Sequence, residues 1–449
     1  MRQAMPPAAL AGECATVLLG QYDMKLFLPH SLMLFWPVAT LATFSQAASA
    51  QAPAVAMEGR MIQAVVVLGN YRTKDSVILR QLQSRPGTRL DRDVLRHDRL
   101  RLENMQIFSQ VRLWPTQVAN GVRLCVEVRE RVPWLPFPVL YWSHDQGWTY
   151  GFGLACLNFR GRAEQLETYL AFGGAKVAGV GWFTPWVWNR IFLRIRAQGR
   201  RAYHRYCDFR PTTVSFAIEV GRPVSRHWRL SVEGRYATLE SDKPAKTVSP
   251  DNTDVLPEFC GRIVYDSRDL HVNPHRGWLN ALVVSRTGKW LNGTTEISSL
   301  NLDLRRYQPL WFGHTLAVGT EARIRSGTIP LYERIHLGGT ETVRGWDWNS
   351  FQGDNALIGS LEYRFDLARR RIAYGTAPSG YVDRGLGGAL FADTGAVWDT
   401  HRTLDRSHFH SGYGLGLRLF VPFFHVVRFD YAWNTLGEGR WQVNLYPKF

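Results

Sequence analysis

The residues that most suggest chemistry are one arginine and two acids in the C-terminal third of the chain, Arg344, Glu362 and Asp393. Two carboxylates close to a basic group can imitate the acid/base pair of an enzyme. A carboxylate beside an arginine, however, stays ionised and is poorly suited to move protons. We therefore expect these residues to have a structural role and not a catalytic one.

Other signatures of catalysis are missing from the sequence. It contains no nucleophile elbow, no Gly-rich phosphate loop and no clustered His site, and its 13 histidines are scattered. The net charge of +16 could indicate a nucleic-acid partner. The basic residues are nevertheless spread along alternating segments and do not form one block or one basic helix. The sequence thus predicts no enzyme, no cofactor, no metal and no nucleic-acid partner.

The N-terminus has the order of a secretory signal. Residues 24–50 comprise Met-Lys, an apolar stretch, and Ala48-Ser49-Ala50 before Gln51, which is typical of a cleavage site. A transmembrane helix is the alternative, but prolines interrupt the apolar stretch. Residues 1–23 precede this signal and are predicted to be an upstream extension, with translation starting at Met24.

No later segment approaches the roughly 20 apolar residues that a spanning helix needs, so any membrane crossing must use strands. Of the five cysteines, four follow the signal: Cys125, Cys156, Cys207 and Cys260. Their spacing fits neither a zinc nor a redox motif. A Cys125–Cys156 or Cys207–Cys260 disulfide remains an alternative in an oxidising compartment.

Residues 59–131 alternate between element types. An apolar run at 62–68 is followed by helical stretches that open near Asp75 and Asp91, and then by two strands joined through Asn120-Gly121. The predicted order is β-α-α-β-β. Such a small α+β domain can bury one sheet face under its helices and leave a strand edge free for a partner.

From residue 138 to residue 449 short segments alternate apolar and polar residues. In one segment the apolar face carries Trp228, Leu230, Val232 and Tyr236, and the polar face carries Arg229, Ser231, Glu233 and Arg235. A soluble sandwich would alternate in the same way. The export signal, the charged polar faces and the aromatic residues near segment ends favour a transmembrane antiparallel β-barrel. At about 20 residues per strand and turn, we expect about sixteen strands.

Several segments resemble the BamA/TamA-like family of outer-membrane insertases and translocators. The segment 338–346, with Val343, Arg344, Gly345 and Trp346, resembles the Val-Arg-Gly-aromatic loop of that family. Segment 265–277 resembles a hairpin in the middle of the family's bacterial surface antigen barrel. Segment 359–364 resembles the strand after the loop, and segment 391–395 resembles the next strand. The unit 59–131 resembles a POTRA domain. The resemblance covers nearly all of the mature chain.

This resemblance implies where the site residues lie. In the family the loop is tucked into the barrel with its arginine paired to an acid, so Arg344 is expected to pair with Asp393, with Glu362 nearby. Strand parity places both acids on the lumen side, and a guanidinium can bind a carboxylate bidentately. The alternative is that Arg344 is an ordinary solvated loop residue. The last strand resembles the C-terminal targeting signal of outer-membrane barrels, with Trp441, Val443, Leu445 and Phe449 on one face.

The family resemblance also implies a function and a location. It implies insertion of β-barrel proteins into the outer membrane, or passage of polypeptide or lipid across it, with the POTRA domain in the periplasm. The implied partners are unfolded outer-membrane or secreted polypeptide clients, outer-membrane lipids and accessory periplasmic proteins. One POTRA domain is fewer than the main insertase of the family usually carries. A two-partner-type secretion transporter and a passive porin-like channel therefore remain alternatives.

Overall fold

A computed structural model describes residues 57–143, 147–203, 208–269, 271, 273–373, 381–421, 425–444 and 448. The predicted upstream extension and signal peptide lie outside these residues, as do Leu445 and Phe449 of the predicted targeting strand. In the described part of the chain, helices that are long and apolar enough to span a bilayer are absent.

The N-terminal domain has the predicted β-α-α-β-β order. Its elements are β1 (Ile62–Leu68), α1 (Asp75–Leu79), α2 (Arg92–Asn104), β2 (Phe108–Val118) and β3 (Gly121–Glu130). β3 lies in the middle of the sheet, parallel to β1 and antiparallel to β2. The Asp91 carboxylate accepts hydrogen bonds from the backbone N–H groups of Asp93 and Val94, which explains why α2 begins there.

The remainder of the chain forms one antiparallel sheet of sixteen strands, which confirms the predicted number. Its strands are β4 (Trp134–Ser143), β5 (Gly147–Phe159), β6 (Glu164–Gly173), β7 (Ala175–Trp188), β8 (Ile191–Ala202), β9 (Thr212–Pro223), β10 (Trp228–Glu240), β11 (Thr253–Asp266), β12 (Gly277–Thr287), β13 (Ile297–Pro309), β14 (Thr315–Gly327), β17 (Asn355–Ala373), β18 (Tyr381–Trp398), β19 (Phe409–Val421), β20 (His425–Asn434) and β21 (Gly439–Asn444). Each strand pairs with its neighbour in this series. The sheet begins at Trp134 and not at the predicted residue 138.

The two faces of this sheet differ as the alternation predicts. On β10, Trp228 and Val232 are 47% and 49% exposed, whereas Ser231 between them is only 6% exposed. The outward face is therefore apolar and the inward face polar. This division is typical of a barrel whose outer surface contacts lipid.

The segment 328–354 between β14 and β17 folds back inside the barrel. It carries a short hairpin of β15 (Ile335–Leu337) and β16 (Phe351–Gly353). Ile335 and Leu337 are fully buried against Ile358 and Val397 of the barrel wall. We call residues 328–354 the inward loop, because apolar packing holds one part of it against the wall.

The N-terminal domain contacts the barrel at the turn between β5 and β6. The Asn158 side-chain amide donates a buried hydrogen bond of 2.8 Å to the Thr73 hydroxyl, and the Lys74 backbone N–H donates to the Gly161 carbonyl at 3.0 Å. Ala163 of the same turn belongs to the apolar core of the domain. These contacts fix the domain at this end of the barrel.

Candidate functional site

The wall of the candidate site consists of inward side chains from neighbouring strands of the barrel. Glu362 lies on β17, Asp393 on β18, Arg418 on β19, and Arg428 and Asp430 on β20. All five are at most 5% exposed. Because successive side chains of a strand alternate between faces, the parity of each position directs these charged groups into the lumen.

Arg344 reaches this wall from the inward loop. Its Nε lies 2.6 Å from Asp393 Oδ2 and its Nη2 lies 3.0 Å from Asp393 Oδ1, a bidentate pair. Its Nη1 donates to Glu362 Oε2 at 2.8 Å. Arg344 is fully buried, and its Cζ lies 3.5 Å from the centroid of the Phe391 ring. The structure thus brings together the three residues that the sequence analysis singled out.

The structure adds charged partners that the sequence analysis did not assign to the site. Asp430 lies 3.4 Å from Arg344, and the Arg418 guanidinium bridges Asp430 and Glu362, reaching the latter at 3.1 Å. Lys448 Nζ lies 2.8 Å from Asp393 Oδ1. The parity rule that selected Glu362 and Asp393 would also have placed Asp430 inward.

This charge cluster holds the inward loop in place. Each acid has at least one cationic neighbour, so the buried charges compensate one another. Removing one member of such a buried set leaves an unpaired charge in a poorly solvated place, which typically costs about 3–5 kcal/mol. Loop and wall are therefore coupled into one unit.

Two glycines allow the loop and the wall to approach closely. Gly345 has a φ of +92°, and a Cβ there would lie 2.8 Å from the backbone C and O atoms of Trp433. A Cβ on Gly412 of β19 would lie 1.8 Å from the Arg344 carbonyl oxygen. Any side chain at either position would push the loop away from the wall.

The residues that flank Arg344 and Gly345 also anchor the loop. Val343 is fully buried. The Trp346 indole N–H donates to the Ser411 carbonyl at 2.9 Å, and its ring packs edge-on against Phe351 and His410 at 4.9 and 5.4 Å. The whole motif therefore faces the protein interior and not solvent.

The last strand is braced from inside by the same loop. The Gln442 amide donates to the Trp346 carbonyl at 3.3 Å, and the Asn444 amide donates to the Thr340 hydroxyl at 3.1 Å. Trp441 and Val443 of the predicted targeting strand lie on the opposite, outward face and are 73% and 43% exposed. The inward loop thus contacts β21 through polar groups, and the lipid-facing side chains of β21 stay outside.

Among the described residues, those of the charge cluster included, no group of three or more His, Cys, Asp or Glu side chains could hold a metal ion. Cys125, Cys156 and Cys260 carry free thiols, so neither a Cys125–Cys156 bond nor a bond to Cys260 is present. Cys207 lies outside the described residues.

The sequence is similar to known protein families along most of its length. Residues 158–445 match the Omp85 superfamily domain, and residues 61–131 match the POTRA family, described as a surface antigen variable number repeat. The outer membrane protein assembly factor BamA of Nitratidesulfovibrio vulgaris is 24% identical over 399 residues, covering 84% of this chain and 49% of the relative. The factor of the same name from Neisseria meningitidis is 22% identical over 438 residues, covering 86% of this chain and 53% of the relative.

Solved structures show the same fold. The structure of Haemophilus ducreyi BamA lacking POTRA domains 1–3 superposes with a TM-score of 0.55 at 15% identity, covering 86% of this chain and 82% of that one. CdiB from Acinetobacter baumannii gives a TM-score of 0.52 at 14% identity, covering 87% and 72%. This chain spans about half the length of the curated relatives it matches. Because the superfamily match covers more than half of the chain, this outer-membrane barrel with its periplasmic POTRA domain belongs to the Omp85 superfamily.

Proposed function

We propose that this protein assembles β-barrel proteins into the outer membrane. The observation that carries the proposal is the locked inward loop, because it occupies part of the lumen and braces the last strand from inside. A passive channel needs neither feature. The curated relatives of this chain, which are named outer membrane protein assembly factors, support the same function.

The seam between the ends of the sheet supplies a place for assembly. β4 and β21 are these two ends, and among the described residues no ladder joins them. An unpaired strand edge presents a row of N–H and C=O groups that can pair with another extended chain. Incoming client strands would use this edge while the loop keeps β21 in position.

The POTRA domain would deliver the client. β1 and β2 are the edge strands of its sheet, and such edges bind extended peptides by strand addition. The domain is fixed to the barrel through Asn158 and Thr73, so a captured segment would be held at the periplasmic end. The proposed partners are unfolded outer-membrane or secreted polypeptides, membrane lipids and accessory periplasmic proteins, and the proposal assigns the protein no enzymatic reaction.

The test is the folding rate of an unfolded outer-membrane barrel added to liposomes with and without this protein. We expect acceleration by the unaltered protein and loss of most of it in Arg344→Ala. The matched control is Arg402→Ala, an exposed arginine far along the chain from the loop. Heat-modifiable electrophoretic mobility shows whether each variant is folded. No acceleration by a folded, unaltered barrel would contradict the proposal and favour secretion of a dedicated partner.

A further inference from the structure

Neighbouring turns on the periplasmic side of the barrel each carry an exposed arginine. Arg162 lies between β5 and β6, Arg190 between β7 and β8, and Arg226 between β9 and β10. These strands are antiparallel, so the turns all lie at the end of the barrel that contacts the POTRA domain. Because two strand spacings separate one turn from the next, the turns follow one another along the rim at about 10 Å.

The POTRA domain adds arginines of its own at this rim. Arg80 directly follows α1; its Cζ lies 5.0 Å from the centroid of the Trp186 ring of β7, and its Nη2 donates to the Arg162 carbonyl at 3.4 Å. Arg101 of α2 lies near enough to Arg226 for the two positive charges to interact. The junction thus collects like charges from both domains. We call these residues the arginine row: Arg80, Arg101, Arg162, Arg190 and Arg226.

The arginine row lacks enough anionic partners within the described part of the protein. There, Arg80 and the three turn arginines form no ion pair, and the buried Arg80 Nε donates to no acceptor. Burial lowers the pKa of Arg80, and burial together with the Arg226 charge lowers the pKa of Arg101 to about 10. A cation that is partly removed from water without a counter-charge is costly. The junction therefore favours a bound anion.

The carboxylates of the same segments are already engaged by other groups. Each has a partner of its own: Asp98 binds Arg101, Glu164 binds Arg160, Asp75 binds the Asn70 amide, and Glu130 binds the Thr73 backbone N–H. The exposed arginines of the turns are consequently not neutralised from within these segments. The ligand must bring the negative charge.

An apolar surface accompanies the arginine row. Val187 and Trp188 at the end of β7 are 55% and 71% exposed, and Leu79, which precedes Arg80, is 38% exposed. Aromatic residues at the ends of barrel strands lie at the level of the lipid headgroups. Cations at that level meet headgroup phosphates, and the apolar side chains beside them meet acyl chains. A soluble anion would use only the cations.

We propose that the arginine row binds the phosphate groups of anionic phospholipids in the periplasmic leaflet of the outer membrane, and that a bound lipid bridges the POTRA domain and the barrel. Arg80 and Arg162 hold one headgroup from the two domains, and Trp188 contacts its acyl chains. A guanidinium suits this ligand because it binds phosphate oxygens bidentately. Such binding requires no client, so it is separate from barrel assembly.

The test is titration of the folded full chain, in uncharged detergent micelles, with dioleoylphosphatidylglycerol, while native mass spectrometry counts the bound lipid. Dioleoylphosphatidylcholine has the same acyl chains and no net charge, and it should bind much more weakly. Each arginine that is replaced should weaken phosphatidylglycerol binding roughly fivefold. The combined variant Arg162→Gln, Arg190→Gln and Arg226→Gln should therefore bind this lipid about a hundredfold more weakly.

The matched control removes the same charge from the opposite end of the barrel. Arg210→Gln, Arg402→Gln and Arg406→Gln combined change exposed positions in the turns after β8 and β18, which lie on the extracellular side. This variant should bind phosphatidylglycerol as the unaltered protein does. Heat-modifiable electrophoretic mobility shows that both combined variants are folded.

The bridge between the two domains has a readout of its own. The Lys74 backbone N–H donates to the Gly161 carbonyl across the junction. A ligand that both domains share stabilises their contact, so vesicles that contain phosphatidylglycerol should slow deuterium exchange of this amide relative to purely zwitterionic vesicles. Arg80→Gln should remove most of this slowing, and the control variant on the extracellular side should retain it.

Several outcomes would overturn the proposal. Equal binding of the two lipids would do so, as would equal binding of phosphatidylglycerol by the two combined variants. Displacement of the lipid by inorganic phosphate at the same concentration would overturn the assignment to a lipid, and displacement by a soluble poly-glutamate peptide would assign the arginine row to an acidic polypeptide instead. Unchanged exchange of the Lys74 amide in the anionic vesicles would overturn the bridge.

Discussion

Arg344 and Asp393 form a bidentate ion pair inside the barrel, with Nε–Oδ2 and Nη2–Oδ1 distances of 2.6 and 3.0 Å. The pair joins a loop residue to an inward-facing residue of the spanning strand β18, 49 positions later in the chain. A loop that is anchored in this way cannot leave the lumen without exposing or unpairing a buried charge. The stability of the loop and that of the barrel wall should therefore be linked.

Replacing Arg344 by lysine should destabilise the protein, although the charge is kept. A lysine cannot make the two parallel hydrogen bonds to Asp393 or stack on Phe391. We expect Arg344→Ala to lower the free energy of unfolding by about 3–5 kcal/mol, with Arg344→Lys intermediate. Urea unfolding of the protein in vesicles measures the free energy of unfolding of both variants. Arg402→Lys, at an exposed position, is the control. A lysine variant as stable as the unaltered protein would show that the bidentate geometry contributes nothing.

Arg344 and Asp393 should be energetically coupled. In a double-mutant cycle with Arg344→Ala and Asp393→Ala, we expect a coupling energy of about 1–3 kcal/mol, because each single variant leaves the other charge buried. The cycle of Arg344→Ala with Asp251→Ala, an exposed acid in the turn after β10, serves as control. Additive effects for the Arg344–Asp393 pair, within about 0.5 kcal/mol, would contradict the prediction.

Adding a methyl group at Gly412 should displace the inward loop. The new Cβ would collide with the Arg344 carbonyl oxygen, and the loop must move because β19 is held on both sides. We expect Gly412→Ala to make the inward loop accessible to protease in folded protein. Gly261→Ala on β11, where a Cβ would meet nothing within 4 Å, should not. Equal resistance of the two variants to protease would argue against the close approach.

Removing the buried hydrogen bond between the domain and the barrel should loosen the POTRA domain. Asn158→Ala leaves the Thr73 hydroxyl without its donor, which should cost about 1–3 kcal/mol. The amide of Lys74, which donates to Gly161, should then exchange with deuterium about tenfold faster or more. Gln117→Ala, at an exposed position of β2, is the control. Unchanged exchange at Lys74 would show that other contacts suffice to hold the domain.

Much of the architecture could be predicted from local sequence patterns. The period of two directs apolar residues such as Trp228 and Val232 outward, and the N-cap Asp91 fixes where α2 begins. The start of the sheet at Trp134 was not predicted, because the prolines that follow it resemble a linker. Only the position of β4 at the end of the sheet shows that these prolines lie in an edge strand, where proline is tolerated.

The candidate site, too, could be predicted only in part from the sequence. Sequence parity by itself determined that Glu362 and Asp393 face the lumen, and the resemblance of the loop suggested Arg344 as their partner. The participation of Asp430 and Lys448 was decided only by tertiary structure. Parity gives the face of a strand on which a charge lies, but its height along the barrel and its distance from the loop depend on register. Register is set by hydrogen bonds between strands that are far apart in sequence, and no local pattern encodes them.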